Sequence, residues 1–217
     1  MINDRIKPSV LAVKMIPNVD NSMVEKFNIP NGFKSIGIIT ADCDDVTYTA
    51  LDEATKEVDV KVVYAKSFYG GAANANTKLA GEVIGIIAGP TPAEVRSGLN
   101  VIVDFIENKA SFISANEDDT IAYYAHCVSR TGSFLSETAG IPEGEALAYV
   151  IAPPLEAMYA LDAALKAADV RMAAFFGPPS ETNFGGGLLT GSQSACKAAC
   201  EAFAEAVKFV AENPTRY

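Results

Sequence analysis

The sequence predicts an α+β protein made of two tandem domains, each a mixed β-sheet with helices packed on it. The first observation is an internal repeat, since ALDEATKEVDVKVV at Ala50–Val63 returns as ALDAALKAADVRMA at Ala160–Ala173. The second is that strand-like apolar runs and amphipathic helical segments alternate in the same order in both copies. The third is size, because 217 residues with 49% hydrophobic content can form two small cores.

The repeat extends well beyond the opening segment. Ile29–Gly32 (IPNG) matches Ile141–Gly144 (IPEG), and Ile36–Ala41 matches Leu147–Ala152. The spacing between matched positions changes by single residues at loops and falls from 110 to 101 residues before the last helix. The first copy is therefore predicted to carry the longer loop ahead of that helix, and the chain is predicted to divide into residues 1–112 and 113–217. The polar run Asn116–Asp119 fits a linker.

Each copy is predicted to run β-β-α-β-β-α. The predicted strands of the first copy are Ser9–Ile16, Ser35–Ala41, Val60–Lys66 and Glu82–Ala88. Those of the second copy are Ile121–Ser129, Ala146–Ala152, Val170–Phe176 and Gly187–Thr190. Continuous apolar runs of this length are typical of buried strands.

The helices have recognisable starts. The first helix of copy one has Asp44 or Asp45 as its predicted N-cap, and its counterpart starts at Pro153–Pro154, where a missing N–H costs nothing. These two helices are expected to end near Val58 and Ala168. The closing helix of copy one opens on the capping box Thr91–Glu94 with proline at its first position. Its apolar residues then fall on one face: Val95, Leu99, Ile102 and Ile106.

Charge excludes two classes of partner. The net charge is −10 and the pI is near 4.6, so the chain lacks the basic footprint that nucleic acids and anionic membranes require. The same balance permits a cationic ligand. No signal peptide or spanning segment is predicted, and four cysteines without paired spacing fit a reducing cytosol.

Motifs for catalysis or metal binding are weak. The one histidine, His126, precedes Cys127 in a predicted strand, where neighbours point to opposite faces, so a structural histidine is favoured. Cys196 and Cys200 occupy core positions of the repeat and are predicted to be buried. The Asp42–Asp45 run (DCDD) has neither the glycine nor the glutamate of an EF-hand, so a helix start with solvated charge is favoured there. No enzyme, metal site or cofactor is predicted.

Two glycine-rich loops occupy equivalent places after the third strand of each copy. Loops on a rigid scaffold often carry function, and glycine permits close approach. The residues predicted to be functional in these loops are Ser67, Phe68, Tyr69, Gly70, Gly71 and Asn74 in the first, and Ser180, Glu181, Thr182, Asn183, Phe184 and Gly185 in the second.

Three sequence segments resemble those of a known protein family. They are ADCDDVTYTALDEATKEVDV (41–60), SRTGSFLSETAGI (129–141) and the run ALDAALKAADVRMAAFFGPPSETNFGGGLLTGSQSACKAACEAF (160–203). With them, essentially the whole chain resembles bacterial microcompartment shell proteins, specifically the tandem-domain type of ethanolamine-utilisation organelles. The resemblance implies two circularly permuted bacterial-microcompartment (BMC) domains and a location in the shell of an organelle in the cytoplasm.

The same resemblance implies an assembly and a ligand. The chain is expected to form a homotrimer whose six domains make a pseudohexamer, with the two loops lining a gated pore and other shell proteins as neighbours. Ethanolamine, or a similar small cation, is the expected ligand, held by Asp44, Asp45 and Glu82 with Phe112. Cobalamin association is conceivable for the family, but no residue pattern indicates it. The alternative is a soluble regulatory module of tandem ferredoxin-like domains that binds a small metabolite.

Overall fold

A computed structural model describes residues 1–68, 79, 81–178 and 180–216. The chain divides into two compact units, which are named here by their main segments. The N-terminal unit comprises residues 8–110 and 132–135, and the C-terminal unit comprises residues 1–7, 111–131 and the chain from 136 onward. The main boundary therefore falls at 110/111, and two short segments, 1–7 and 132–135, belong to the unit opposite to that expected from their sequence position.

The elements follow the predicted order with small additions. The strands are β1 (Arg5–Ile6), β2 (Val10–Ile16), β3 (Ser35–Ala41), β4 (Lys61–Ser67), β5 (Val83–Gly89), β6 (Phe112–Ser114), β7 (Ala122–Val128), β8 (Ala146–Ala152), β9 (Val170–Phe176) and β10 (Gly185–Gly191). The helices are α1 (Asn21–Lys26), α2 (Asp44–Glu57), α3 (Pro92–Asp104), α4 (Ser133–Ala139), α5 (Pro154–Ala167) and α6 (Gln193–Glu212). One π-helical turn, Phe105–Lys109, extends α3.

Matching sheets form in the two units. The N-terminal sheet has the order β2-β3-β5-β4, and the C-terminal sheet has the order β1-β6-β7-β8-β10-β9, which contains the same four-strand arrangement β7-β8-β10-β9. Every pairing between described strands is antiparallel, where mixed sheets were expected. The reason is that β5 inserts between β3 and β4, and β10 between β8 and β9, so each inserted strand opposes both neighbours.

The N-terminal core lies between its sheet and helices α2 and α3. The predicted apolar face of α3 is confirmed, since Val95, Leu99 and Ile102 are buried, as is Ile106 in the following turn. The helix lies close over the sheet because position 37 is a glycine. A Cβ at Gly37 would come within 2.8 Å of the Leu99 side chain. Burial of each such side chain contributes about 1.5–3 kcal/mol.

The C-terminal core is built on small residues. Alanines on α5 and α6 pack with Leu161, Leu189 and Phe203, and the predicted burial of Cys196 and Cys200 in this core is confirmed. Small side chains on two contacting helices let their backbones approach closely. No helix within the described part of the chain is long and apolar enough to cross a bilayer.

Several boundaries differ from the sequence prediction. The N-cap of α2 is Cys43, in an extended conformation, so Asp44 and Asp45 lie in the first turn instead of capping it. A short strand that was not predicted, β6, precedes the expected linker and pairs with β1 and β7. Strand β10 begins at Gly185 instead of Gly187, because Gly185 already pairs with Ala152 of β8.

Candidate functional site

A cluster of carboxylates lies in the N-terminal unit where three strands end or begin. Asp44 and Asp45 open α2 directly after β3, and they are only 7% and 6% exposed. Glu82 precedes β5; its N–H donates to the Ala41 carbonyl at 2.8 Å, and its carbonyl accepts the N–H of Phe68 at 3.0 Å. The backbone thus brings the end of β3, the end of β4 and the start of β5 together beneath the helix N-terminus. We call Asp44, Tyr48, Ser67 and Glu82 the acidic corner.

Hydrogen bonds hold Asp44 in place. Its carboxylate accepts the N–H of Asp45 at 2.9 Å and a hydrogen bond from the Ser67 side chain. Ser67 also hydrogen-bonds the hydroxyl of Tyr48, one turn along α2. Burial, together with the charges of Asp44 and Asp45, raises the pKa of Tyr48 to about 12, so this phenol stays protonated. The helix N-terminus favours negative charge at Asp44 and Asp45.

The electrostatics of the corner disfavour its own negative charge. Burial, together with the negative charges of Asp44 and Asp42, raises the pKa of Glu82 to about 7. Burial also raises the pKa of Asp44, opposed by its hydrogen bonds. A small cation bound here would replace lost solvation and offset the repulsion, with charge-assisted hydrogen bonds to the carboxylates.

Three of the four residues expected to bind ethanolamine lie together in the N-terminal unit. Asp44 and Glu82 interact, and Asp45 adjoins Asp44. Phe112 belongs to the C-terminal unit, where it lies in β6, stacks on Tyr124 at 5.5 Å between ring centroids, and contacts Phe184 at 5.8 Å. Tyr48 was not predicted to belong to this cluster, although its position four residues after Asp44 on a helix was the available signal.

The second repeat lacks the acidic corner. The repeat matches α2 with α5, β4 with β9 and β5 with β10, and other residues stand at each of the four positions. Pro154, Met158, Gly177 and Phe184 replace Asp44, Tyr48, Ser67 and Glu82, respectively. One of these replacements contacts an aromatic neighbour, since Phe184 lies near Phe112. The polar site is thus a property of one repeat, and its counterpart is apolar.

The predicted loops are described in part. Ser67 is the last residue of β4, and Phe68 follows it at the surface, whereas Tyr69, Gly70, Gly71 and Asn74 lie outside the described residues. The predicted loop residue Gly185 is a strand residue, because it pairs with β8.

Residues 180–184 of the second loop form a compact turn. Ser180 donates its N–H to the Phe184 carbonyl at 3.1 Å, and Asn183 donates to the Ser180 carbonyl at 3.1 Å. Asn183 has a positive φ of 66°, a conformation that asparagine tolerates. Within the turn, the Ser180 and Thr182 hydroxyls lie 3.4 Å apart, and Glu181 is exposed.

The histidine considered in the sequence packs against an aromatic ring. His126 stacks on Tyr124 with ring centroids 5.5 Å apart and ring planes 4° from parallel. Among the described residues, no group of three or more His, Cys, Asp or Glu side chains is arranged to hold a metal ion.

Comparison with known proteins places this geometry in a family. Residues 35–117 match the BMC domain. The chain is 72% identical to the bacterial microcompartment shell protein EutL of Clostridium perfringens, over 99% of both chains. It is 53% identical to EutL of Escherichia coli, over 97% of this chain and 96% of that protein. The crystal structure of the ethanolamine utilization protein EutL from Leptotrichia buccalis superposes with a TM-score of 0.98 at 77% identity, covering all of both chains.

These relatives are structural proteins of a shell, which sets aside both an enzymatic role and the regulatory-module alternative. The tandem arrangement predicted from the internal repeat is confirmed by the same likeness. The chain belongs to the EutL family of bacterial microcompartment shell proteins.

Proposed function

We propose that this shell protein assembles as a homotrimer whose six repeats surround a central pore that admits small metabolites such as ethanolamine. The observation that carries the proposal is the repeated strand order, β2-β3-β5-β4 in one unit and β7-β8-β10-β9 in the other. Two equivalent units in one chain can occupy alternate positions of a six-membered ring, and three chains then close it. A six-sided tile packs edge to edge with other shell proteins.

Duplication also explains why the repeats have diverged. In a ring of six identical domains, all pore loops and ligand sites would be the same. In the proposed trimer, the loop after β4 and the loop after β9 alternate, and only the former adjoins an acidic corner. A long glycine-rich loop alternating with a short hydrogen-bonded turn suits a pore that one loop set opens and closes.

The proposed ligand of the acidic corner is ethanolamine, through its ammonium group. Asp44 and Glu82 present carboxylates in a partly desolvated place, and the hydroxyls of Tyr48 and Ser67 lie beside Asp44. An ammonium group near these carboxylates satisfies the charge, and the alcohol end of the ligand can exchange hydrogen bonds with a hydroxyl. The proposal requires no cofactor.

Electron microscopy of the purified full chain tests the assembly. Negatively stained particles should average to rings of apparent sixfold outline with a central hole, and concentrated protein should form flat hexagonal arrays. Particles that average to compact oligomers without a hole would contradict the pore. Difference maps with and without ethanolamine should then localise a change to the loop after β4 in alternate domains.

A further inference from the structure

One contact in the N-terminal unit has an unfilled counterpart in the second repeat. Residues 132–135 lie on helix α2, where the Asp52 carboxylate accepts the N–H of Gly132 at 2.8 Å and of Leu135 at 2.8 Å. Thr55 Oγ1 accepts the N–H of Ser133 at 3.1 Å. This contact covers one face of α2 with the start of α4.

The same face of the equivalent helix, α5, is open. Tyr159 replaces Thr49, and the exposed fraction rises from 2% to 51%. Asp162 replaces Asp52, and the exposed fraction of the side chain rises from 0% to 64%. Tyr159 also stacks on the exposed ring of Phe209 at 6.0 Å, beside the exposed Leu155 one turn earlier on α5. An exposed cluster of two aromatic rings and a leucine is typical of an interaction surface.

The segment that the repeat matches to this contact is also exposed to solvent. The repeat matches Gly132–Leu135 to Asp20–Met23, which leads into α1. Gly132 and Leu135 are buried, whereas Asp20, Asn21 and Ser22 are exposed and α1 contains no buried residue. The chain thus forms this contact once, on α2. It also carries the two surfaces of a second such contact, on α5 and on the segment Asp20–Met23, and both are exposed.

We propose that the surface formed by Leu155 and Tyr159 of α5, with Phe209 of α6 beside them, is where a second copy of the chain binds through its Asp20–Met23 segment. This rests on the proposed homotrimer and names its subunit interface. Because each chain offers one α5 face and one segment, the contact is heterologous, and such contacts generate rings when the rotation closes. The filled contact on α2 shows the geometry that each junction of the ring repeats.

The contact on α2 is polar, whereas the proposed contact on α5 is apolar, and the residues at matched positions explain this difference. Gly132 has no side chain to cap α4, and a Cβ there would come within 2.2 Å of Thr55 Oγ1, so Asp52 supplies the acceptor. Asp20 instead caps its own helix, accepting the N–H of Ser22 at 2.9 Å. Asp162 is not needed as a cap and pairs with Lys166 at 2.6 Å. The open face therefore relies on apolar burial by Leu155 and Tyr159.

Sedimentation velocity of the full chain tests the proposal. Tyr159→Lys should raise the trimer dissociation constant at least about 100-fold, because it places a charge in the apolar contact. Phe175→Lys is the matched control, since Phe175 is an exposed aromatic (55%) on β9, and it should leave the trimer intact. An unchanged trimer in Tyr159→Lys, or equal dissociation in both variants, overturns the assignment to this face.

A disulfide provides a second test that does not depend on disrupting the fold. The double variant Asn21→Cys, Leu165→Cys mirrors the pair Ser133 and Thr55, which touch at 3.1 Å. It should form covalent dimers and trimers under mild oxidation, beyond the background of the unmodified chain. Monomers alone on a non-reducing gel, while the unmodified chain sediments as a trimer, would overturn this interface only. A monomeric unmodified chain would instead overturn the proposed homotrimer.

Discussion

The carboxylate of Glu82 lies close enough to that of Asp44 for the negative charge of Asp44 to influence its titration. Burial and the charges of Asp44 and Asp42 together raise the pKa of Glu82 to about 7. The two side chains come from the start of β5 and the start of α2, and the hydrogen bond between Glu82 N–H and the Ala41 carbonyl fixes their relation. A shell protein gains nothing in stability from two facing, partly buried acids. Their arrangement is the strongest indication of a cation site in the described residues.

Neutralising Glu82 should weaken ethanolamine binding. Glu82→Gln removes one of the two charges that attract the ammonium group, and we expect the dissociation constant measured by calorimetry to rise about 10- to 100-fold. Glu57→Gln is the control, because it removes the same charge from an exposed position in the same unit. Equal affinity in Glu82→Gln and the unmodified chain would remove Glu82 from the site.

Binding should depend on pH through Glu82. The pKa of this carboxyl is raised from its ordinary value of 4.5 to about 7, so below pH 7 it is increasingly protonated and attracts a cation less. An alkylammonium stays charged until pH ~10, as lysine does. Affinity for ethanolamine should therefore increase from pH 6 to pH 8 and level off above, with protons released on binding near pH 6.5. A flat profile between these values would show that Glu82 does not titrate in the site.

Removing Asp52 should destabilise the fold, whereas removing its repeat counterpart should not. Asp52→Ala leaves the buried N–H groups of Gly132 and Leu135 without their acceptor, which costs about 2–4 kcal/mol of unfolding free energy. Asp162→Ala breaks only an exposed ion pair with Lys166, worth less than about 1 kcal/mol. Urea unfolding at one fixed protein concentration compares them. Equal losses in both variants would mean that the contact on α2 contributes nothing specific.

Gly186 should tolerate no side chain. Its φ is +152°, and a Cβ there would lie 1.9 Å from the Val150 carbonyl oxygen in the neighbouring strand β8. Gly186→Ala should therefore lower the thermal midpoint severely or prevent folding. Gly32→Ala is the control, since Gly32 has a φ of +90° but open space around it, and the cost should be only about 1–2 kcal/mol. A stable Gly186→Ala protein would contradict the described register of β8 and β10.

Much of the fold follows from the sequence because duplication supplied two independent versions of each element. Strands Ser35–Ala41, Ala146–Ala152 and Val170–Phe176 were predicted to the residue, since they are followed by aspartate, proline and glycine, respectively. The capping box at Thr91 was also correct, with the Thr91 side chain accepting the N–H of Glu94. Local chemistry decides these features, so local patterns reveal them.

Features that depend on distant partners were not predicted. Strand β6 is three residues long and forms only because β1 and β7 flank it. Strand β10 was predicted to begin at Gly187, with Gly185 in the preceding loop, because glycine is unfavourable in strands. The structure places Gly185 and Gly186 in the strand as well, and at Gly186 the backbone of β8 lies too close for a Cβ. The link from Tyr48 through Ser67 to Asp44 likewise requires α2 and β4 to be in contact, which no spacing in the sequence indicates.

The mass of the assembled protein tests the central claim most directly. Light scattering coupled to size exclusion, at neutral pH and without additives, should give about 69 kDa, three times the chain mass of 22.9 kDa, at all concentrations above the dissociation constant. A species of 22.9 kDa that persists at high concentration, or a stable dimer, would contradict a ring of six repeats closed by three chains.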